Sequence, residues 1–128
     1  MKIYDDMALT ALSKDFWDMI NIARNELSSG KEQCGQIIVL YLNTHEIQHY
    51  CVGLENREDV ENCIIEDLLK KNNIVISKIL CVWSDGIIDL PSYYLRKKLC
   101  ELNENNINCE ILLSGVEGVN TRTILQTL

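Results

Sequence analysis

Residues 74–83 read IVISKILCVW, and this stretch decides how the chain folds. It is almost continuously apolar and rich in β-branched side chains, a pattern typical of a strand that is covered on both faces. The sequence Ser84-Asp85-Gly86 follows it directly and favours a turn. We therefore predict a central strand in a sheet that is covered by helices.

Two further strands and a helix are predicted before the central strand. Residues 36–42 are β-branched and aliphatic, residues 43–45 are polar, and residues 46–54 alternate between apolar and polar side chains. This order predicts a β-hairpin whose strands contain no proline. Before the hairpin, apolar side chains recur at helical spacing over residues 13–28, so the first helix is expected there.

The remaining elements complete an alternating order. Asn56 resembles a helix cap, and the residues after it form an apolar stripe that predicts a second helix. The stripe consists of Val60, Ile64, Ile65, Leu68 and Leu69. A third helix is predicted over residues 94–102, a fourth strand over 109–113, and a short helix or strand over 121–128. The order predicts an α/β three-layer sandwich with a mixed sheet of four to five strands covered by helices.

Length and composition indicate one globular domain over residues 1–128. The chain is 47% hydrophobic and contains one proline and six glycines. The start, MKIYDDMALTAL, places Asp5 and Asp6 where a secretory signal needs a basic end, and the longest apolar run, residues 37–42, is too short to cross a bilayer. A cytoplasmic protein without a membrane partner is expected.

The cysteines give no sign of a disulfide framework or a metal site. Six are scattered singly, without a Cys-x-x-Cys pair, at Cys34, Cys51, Cys63, Cys81, Cys100 and Cys109. Reduced, buried thiols are the default expectation. His45 and His49 lie in the predicted hairpin, where four residues span about 13 Å, which disfavours a zinc site. We expect no metal and no other cofactor.

The charge of the chain disfavours nucleic acid as a direct ligand. The formal net charge is −7, from 19 acidic and 12 basic residues, and it repels a phosphate backbone. Such a balance attracts a basic partner, or it merely keeps a surface solvated. The sequence contains no glycine-rich phosphate loop, no Gly-x-Ser-x-Gly and no His-Glu-x-x-His. A cysteine nucleophile assisted by His45 or His49 stays open, because such partners meet in space.

Four segments together resemble the motifs of a known family. In chain order they are Cys51-Val52-Gly53-Leu54-Glu55-Asn56, Cys63-Ile64-Ile65-Glu66, Ser84-Asp85-Gly86 and Leu90-Pro91-Ser92-Tyr93-Tyr94-Leu95-Arg96. They are similar to the successive signatures of nucleoside cytidine deaminases: an Asn-Val-Glu-Asn-like strand end, a Cys-Ala-Glu on the second helix, and a Pro-Cys-Gly-x-Cys-Arg that opens the third helix. The resemblance extends from the first helix to about Leu113 and implies a cytidine deaminase-like fold.

The resemblance also implies that the zinc ligands are lost. Zinc deaminases hold the metal with His and Cys, and a nearby glutamate moves protons to the substrate. The three ligand positions fall on Ile64, Ser92 and Leu95, and the glutamate falls on Glu66. Isoleucine and leucine have no lone pair to donate, and a lone serine hydroxyl is a poor zinc ligand. We therefore expect a protein that is not a working zinc deaminase.

Several of these residues have two interpretations. Helical periodicity places Glu66 in solvent, whereas the family resemblance places it beside a vestigial pocket. Tyr93 and Tyr94 are adjacent, so at least one of them should face outward, as part of a contact surface. The most acidic stretch is either a solvated helix face or a surface for a basic partner. Its carboxylates are Glu55, Glu58, Asp59, Glu61, Glu66 and Asp67.

The overall character suggests a binding protein. A small acidic domain without catalytic machinery looks like the immunity proteins that accompany bacterial contact-dependent growth inhibition or polymorphic toxins. That resemblance implies a non-catalytic antitoxin that binds and neutralises a cognate basic nuclease toxin. The alternative is a zinc-free pseudo-deaminase that binds a nucleoside or nucleotide as a sensor, with Glu55, Asn56 and Glu66 lining the pocket. A homodimer is left open, since cytidine deaminases assemble as dimers or tetramers.

Overall fold

The computed structural model describes residues 13–29, 34–53, 55–72, 74–115 and 118–128. In these residues the strands are β1 (Gln36–Leu42), β2 (Ile47–Val52), β3 (Ile76–Trp83), β4 (Ile88–Asp89), β5 (Glu110–Gly115) and β6 (Gly118–Thr123). The α-helices are α1 (Lys14–Ser28), α2 (Arg57–Leu69), α3 (Tyr93–Leu102) and α4 (Ile124–Thr127), and a short 3₁₀ helix covers Glu104–Asn108. The sequence argument against a secretory signal concerns residues outside these ranges.

The strands form one mixed sheet in the order β2-β1-β3-β5-β6, with β4 paired to β3. Strand β1 is antiparallel to both β2 and β3, β3 is parallel to β5, and β5 is antiparallel to β6. Strands β2 and β3 are therefore parallel to each other, and α2 connects them just as α3 connects β3 to β5. Right-handed crossovers of this kind place both helices side by side on one face of the sheet.

Alternating side chains of the strands divide the core into two apolar layers. On β1, Ile37 and Val39 pack on the side that carries α1, together with Phe16 and Ile20 of that helix. On the opposite side, alternate residues of β1, β3 and β5 pack against α2, α3 and α4; they include Ile38, Leu40, Leu42, Ile79, Cys81 and Ile111. The predicted α/β three-layer sandwich is confirmed, because helices cover both faces of a mixed sheet.

Some local predictions needed correction. The sheet gains β4, which is too short to produce a sequence pattern, and residues 118–128 form both a strand and a helix. Leu69 does not belong to the buried stripe of α2, since its side chain is 65% exposed. Asn56 occupies the N-cap position of α2 but makes no capping bond there. Its Oδ1 instead accepts the Gly53 backbone N–H over 2.6 Å and closes the turn before the helix.

The prediction that all cysteines are reduced is wrong for one pair. Cys34 and Cys51 form a disulfide, with their Cα atoms 5.6 Å apart. The pair meets because the Gly35 N–H donates to the Val52 carbonyl over 2.9 Å, which folds the start of β1 back onto the end of β2. Cys63, Cys81, Cys100 and Cys109 carry free thiols.

Among the described residues, no helix combines the length and the apolar character that a membrane span requires.

Candidate functional site

The positions that the family resemblance assigns to zinc ligands lie at the junction of α2 and α3. Ile64 and Leu95 are fully buried and belong to the same apolar layer. Ser92 is the N-cap of α3, and its Oγ accepts the Leu95 N–H over 3.1 Å. The structure therefore brings Ser92 and Leu95 together at the start of α3 and buries Ile64 in the same layer. Glu66 is exposed on α2, as helical periodicity predicts.

A residue outside the predicted zinc set occupies the inward position of α2. Glu61 is only 3% exposed, and its Oε2 accepts a hydrogen bond from the Ser92 hydroxyl. Glu61, Ile64 and Leu68 are the buried residues of α2, at i, i+3 and i+7. The assignment of Glu61 to an exposed acidic surface is thus a misprediction, because the helix rotation that buries Ile64 also buries Glu61. The same i, i+3, i+7 spacing is the sequence signal that could have identified it.

The residues at this junction do not fit a zinc ion. Ile64 and Leu95 present only hydrocarbon, and the Ser92 hydroxyl is already engaged by Glu61 and by the Leu95 amide. Zinc requires lone pairs from thiolate, imidazole or carboxylate groups, usually four in a closed site. Over the described ranges of the chain, no group of three or more His, Cys, Asp or Glu side chains could hold a metal ion.

A polar network that sequence reasoning missed borders this junction. Arg57, one turn before Glu61, donates from Nη2 to Gln36 Oε1 over 2.8 Å, and its guanidinium lies 5.4 Å from the centre of the Trp83 ring. Trp83 donates from Nε1 to Asp89 Oδ2 over 3.1 Å. These contacts link α2 to β1, β3 and β4. Their signal in the sequence is weak, because the partners lie more than twenty positions from Arg57.

The thiol of Cys81 lies near the same network but does not resemble a nucleophile. Cys81 is fully buried, and burial raises the pKa of its thiol far above the ordinary range, against an opposing effect of the Arg57 charge. A reactive cysteine needs the opposite environment, which stabilises the thiolate. The histidines are engaged elsewhere: His45 Nδ1 lies 3.1 Å from the Tyr41 hydroxyl, and His49 Nε2 lies 3.3 Å from Glu26 Oε1.

Arg96, at the arginine position of the third family motif, joins two chain segments. Its side chain is largely buried, its Nε donates to the Pro91 carbonyl over 3.0 Å, and its Nη1 donates to the Thr127 carbonyl over 2.6 Å. The first bond closes the turn that leads into α3, and the second ties α3 to α4. The guanidinium also lies 5.8 Å from the centre of the Tyr93 ring. These two hydrogen bonds hold the start of α3 and the end of α4 together, and we call them the Arg96 clamp.

Four of the six predicted carboxylates lie on the surface at α2. Glu55, Glu58, Asp59 and Glu66 are exposed, and we call this set the acidic face. Asp67 is half-buried on another side of α2, where its Oδ2 accepts the Tyr50 hydroxyl over 2.9 Å. Partial burial, and then the hydrogen bond to Asp67, raise the pKa of Tyr50 above its ordinary value. The acidic face is therefore smaller than the sequence suggested, since Glu61 and Asp67 support the fold instead.

Two exposed tyrosines begin α3, and Tyr94 reaches Asn62 on the side of α2 that carries the acidic face. Tyr93 is 58% and Tyr94 42% exposed, so both face outward, beyond the minimum of one that adjacency predicts. The Tyr94 hydroxyl donates to Asn62 Oδ1 over 2.8 Å. Lys98 Nζ lies 5.7 Å from the centre of the Tyr94 ring, which orients the ring against α3. Large exposed aromatic side chains held in one orientation are typical of contact surfaces.

Comparison with known proteins finds solved structures with a similar fold, all at low sequence identity. No protein-family model matches the chain, and no curated protein matches it either. Among solved structures, the chain is similar to the cytidine deaminase of Mycobacterium leprae, with a TM-score of 0.58 and 15% identity over 91% of this chain and 98% of that one. Two crystal structures of cytidine deaminase from Mycobacterium tuberculosis are also similar. One has a TM-score of 0.60 and 14% identity, and the other, of a mutant, has 0.61 and 15%; each alignment covers 88% of this chain and 93% of that chain.

Proposed function

We propose that this chain, which has a cytidine deaminase-like fold, is a non-catalytic binding protein that recognises a basic protein. More specifically, we propose that it acts as an immunity protein in the cytoplasm and neutralises a cognate basic nuclease toxin. The observation that carries the proposal is the exposed acidic face at α2 with the exposed Tyr94 ring beside it. Charge complementarity would accelerate the encounter, and the aromatic rings would supply contact area.

The donor set at the α2–α3 junction supports a non-catalytic role. A zinc deaminase needs a metal-bound water and a glutamate beside it. At the matched positions this chain presents two hydrocarbon side chains and one engaged hydroxyl, while Glu66 is directed to solvent. The family chemistry therefore has neither its metal site nor its proton-transfer group at these positions.

The alternative function, a nucleoside sensor, is supported less well. Its predicted pocket residues Glu55, Asn56 and Glu66 are all exposed, and Asn56 is occupied in closing the turn at Gly53. A nucleoside site needs a concave surface that encloses most of the ligand. The exposed acidic face offers a better surface for a second protein than for a small molecule.

A direct test uses the gene that precedes this one in its native genome. If that gene encodes a large toxin, the toxin's C-terminal domain is produced alone and mixed with this protein. We expect a one-to-one complex and restored growth of cells that express both proteins. Restored growth without a complex, or no effect on growth, would contradict the proposal. Conversion of cytidine to uridine by the zinc-supplemented protein, or saturable cytidine binding, would instead favour a deaminase or the nucleoside sensor.

The matched control separates specific recognition from net charge. Replacing both Glu58 and Asp59 with lysine should weaken growth protection by this protein, because association with the basic toxin slows. Replacing both Glu46 and Glu104 with lysine changes the net charge equally at exposed positions before β2 and in the 3₁₀ helix. Protection should persist in that second variant. Equal loss in both variants would show that the effect is one of overall charge, not of the acidic face.

A further inference from the structure

The contact between Glu61 and Ser92 has features that neither partner binding nor deaminase chemistry explains. Glu61 is a carboxylate that is 97% removed from solvent, on the buried side of α2. Its hydrogen-bond donor, Ser92, lies on another helix, 31 positions further along the chain. A buried carboxylate costs several kcal/mol unless a partner satisfies it, so such a residue needs a specific structural reason.

The geometry points to a metal-independent joint: we infer that the Glu61 carboxylate and the Ser92 hydroxyl hold α2 against α3 beside the positions that the family resemblance assigns to zinc ligands. In this role the pair connects the two helices through one hydrogen bond and needs no metal ion. Ile64 and Leu95 complete the joint with apolar contact in the layer beneath. The side chains at these positions do not suit zinc, and the hydrogen bond between Glu61 and Ser92 links the two helices instead.

The Ser92 hydroxyl serves both ends of the joint. As an acceptor it caps α3 through the Leu95 N–H, and as a donor it satisfies Glu61. An N-cap side chain has a fixed direction, because it must reach the free N–H groups of the first turn. The Ser92 Oγ is thereby held at the start of α3, from where its rotatable proton reaches the Glu61 carboxylate on α2. The position of the carboxylate along α2 then fixes how the two helices are aligned.

A second, exposed contact lies next to the buried one. Asn62 follows Glu61 directly, and Tyr94 lies two residues after Ser92; their side chains share a hydrogen bond of 2.8 Å at the surface. The buried joint and the surface contact thus connect the same two segments of the helices. The joint is independent of the proposed function, because it concerns the folded chain alone. It also assigns Glu61 to the fold instead of to the partner surface.

Two variants of Ser92 that are isosteric with each other test the joint. Asparagine and aspartate both cap helices as well as serine does, but only asparagine can donate a hydrogen bond to Glu61. We expect Ser92→Asn to unfold close to the wild-type temperature and Ser92→Asp to lower the midpoint by about 10 °C, since a second carboxylate would face Glu61. Adding Glu61→Leu to Ser92→Asp should recover about half of that loss, because the apolar side chain removes the repulsion.

The midpoints of thermal unfolding show whether the joint exists. Equal midpoints for Ser92→Asp and Ser92→Asn, or no recovery on adding Glu61→Leu, would overturn the joint. If Ser92→Asp alone fails to fold, folding of the double variant with Glu61→Leu supports the joint. Failure of both variants to fold overturns the joint. Glu61→Gln keeps an acceptor for the serine hydroxyl and should lose less than Glu61→Leu alone. A midpoint that rises by more than about 5 °C with one equivalent of zinc would also overturn it, since a metal-independent joint gains nothing from the ion.

Discussion

The hydroxyl of Tyr94 on α3 donates a hydrogen bond to Asn62 Oδ1 on α2, over 2.8 Å. Asn62 follows Asp59 by three residues and precedes Glu66 by four, so these three side chains lie on one side of the helix. An exposed aromatic ring is thereby held next to the acidic face. Substitutions of the acidic residues therefore measure electrostatic steering of the partner, and substitutions of Tyr94 measure the contact that its ring makes.

Charge reversal on the acidic face should slow association with the basic toxin domain. With lysine at Glu58 and Asp59, we expect the association rate constant to fall about tenfold at low ionic strength, because steering follows the sum of the local charges. The dissociation rate constant should change little. Stopped-flow measurements over a range of salt concentrations should also show a flatter salt dependence than that of the wild type.

The control for this prediction is the variant in which both Glu46 and Glu104 are replaced with lysine. It has the same net charge but an intact acidic face, so it should retain most of the wild-type rate and salt dependence. A rate constant that is unaffected by reversal at Glu58 and Asp59 would place the interface elsewhere on the molecule.

Removal of the Tyr94 ring should act on dissociation. We expect Tyr94→Ala to raise the dissociation rate constant about tenfold or more, since aromatic anchors commonly contribute over 1 kcal/mol to an interface. Tyr94→Phe keeps the ring and loses only the bond to Asn62, so its effect should be smaller. Surface plasmon resonance with the toxin domain would measure both variants. An equal effect of Phe and Ala would show that the hydroxyl, not the ring, is the contact.

Loss of the Arg96 guanidinium should destabilise the fold without any partner present. Arg96→Met keeps most of the aliphatic stem but leaves the Pro91 and Thr127 carbonyls without their donor. We expect a loss of about 2 kcal/mol in the free energy of unfolding, because hydrogen bonds to charged groups in buried positions are among the stronger ones. Urea denaturation would measure it.

The neighbouring residue provides the control for Arg96. Lys97 is exposed on the same helix, so Lys97→Met should change the free energy of unfolding by less than about 0.5 kcal/mol. Arg96→Lys should recover only part of the loss, since a single ammonium group cannot reproduce two guanidinium bonds to separate carbonyls. Full stability in Arg96→Met would contradict the clamp.

The sequence predicted the layers of this fold better than the contacts of its site. The apolar pattern of residues 74–83 and the helical spacing of the first and second helices depend on local periodicity, and all three elements are found. The disulfide between Cys34 and Cys51 was missed because cysteine spacing does not reveal how a hairpin bends at Gly35. Strand β6 reads GVNTRT, which lacks the apolar alternation of a covered strand because it lies at the edge of the sheet.

The site was predicted in outline and missed in its central residue. The motif match selected Ser92 and Leu95, and the structure places both at the start of α3, while their assignment to a former zinc site stays a prediction. Glu61 was grouped with the exposed carboxylates because it stands in an acidic run, although its spacing to Ile64 and Leu68 matches the buried stripe of α2. Its burial depends on the rotation of α2 against the sheet. Tertiary packing sets that rotation. The structure shows that the Ser92 hydroxyl is the hydrogen-bond donor that satisfies the buried Glu61 carboxylate.

The environment of Tyr50 predicts a loss of stability at alkaline pH. Partial burial, reinforced by the hydrogen bond to Asp67, raises the pKa of the folded phenol above the ordinary value of about 10. Above that pH the unfolded chain releases a proton that the folded chain retains, so the free energy of unfolding falls as the pH rises. Tyr50→Phe removes this contribution and should show a shallower decline between about pH 10 and pH 11 in urea titrations, although it loses the Asp67 bond at neutral pH. Parallel curves for the two proteins would contradict the assignment.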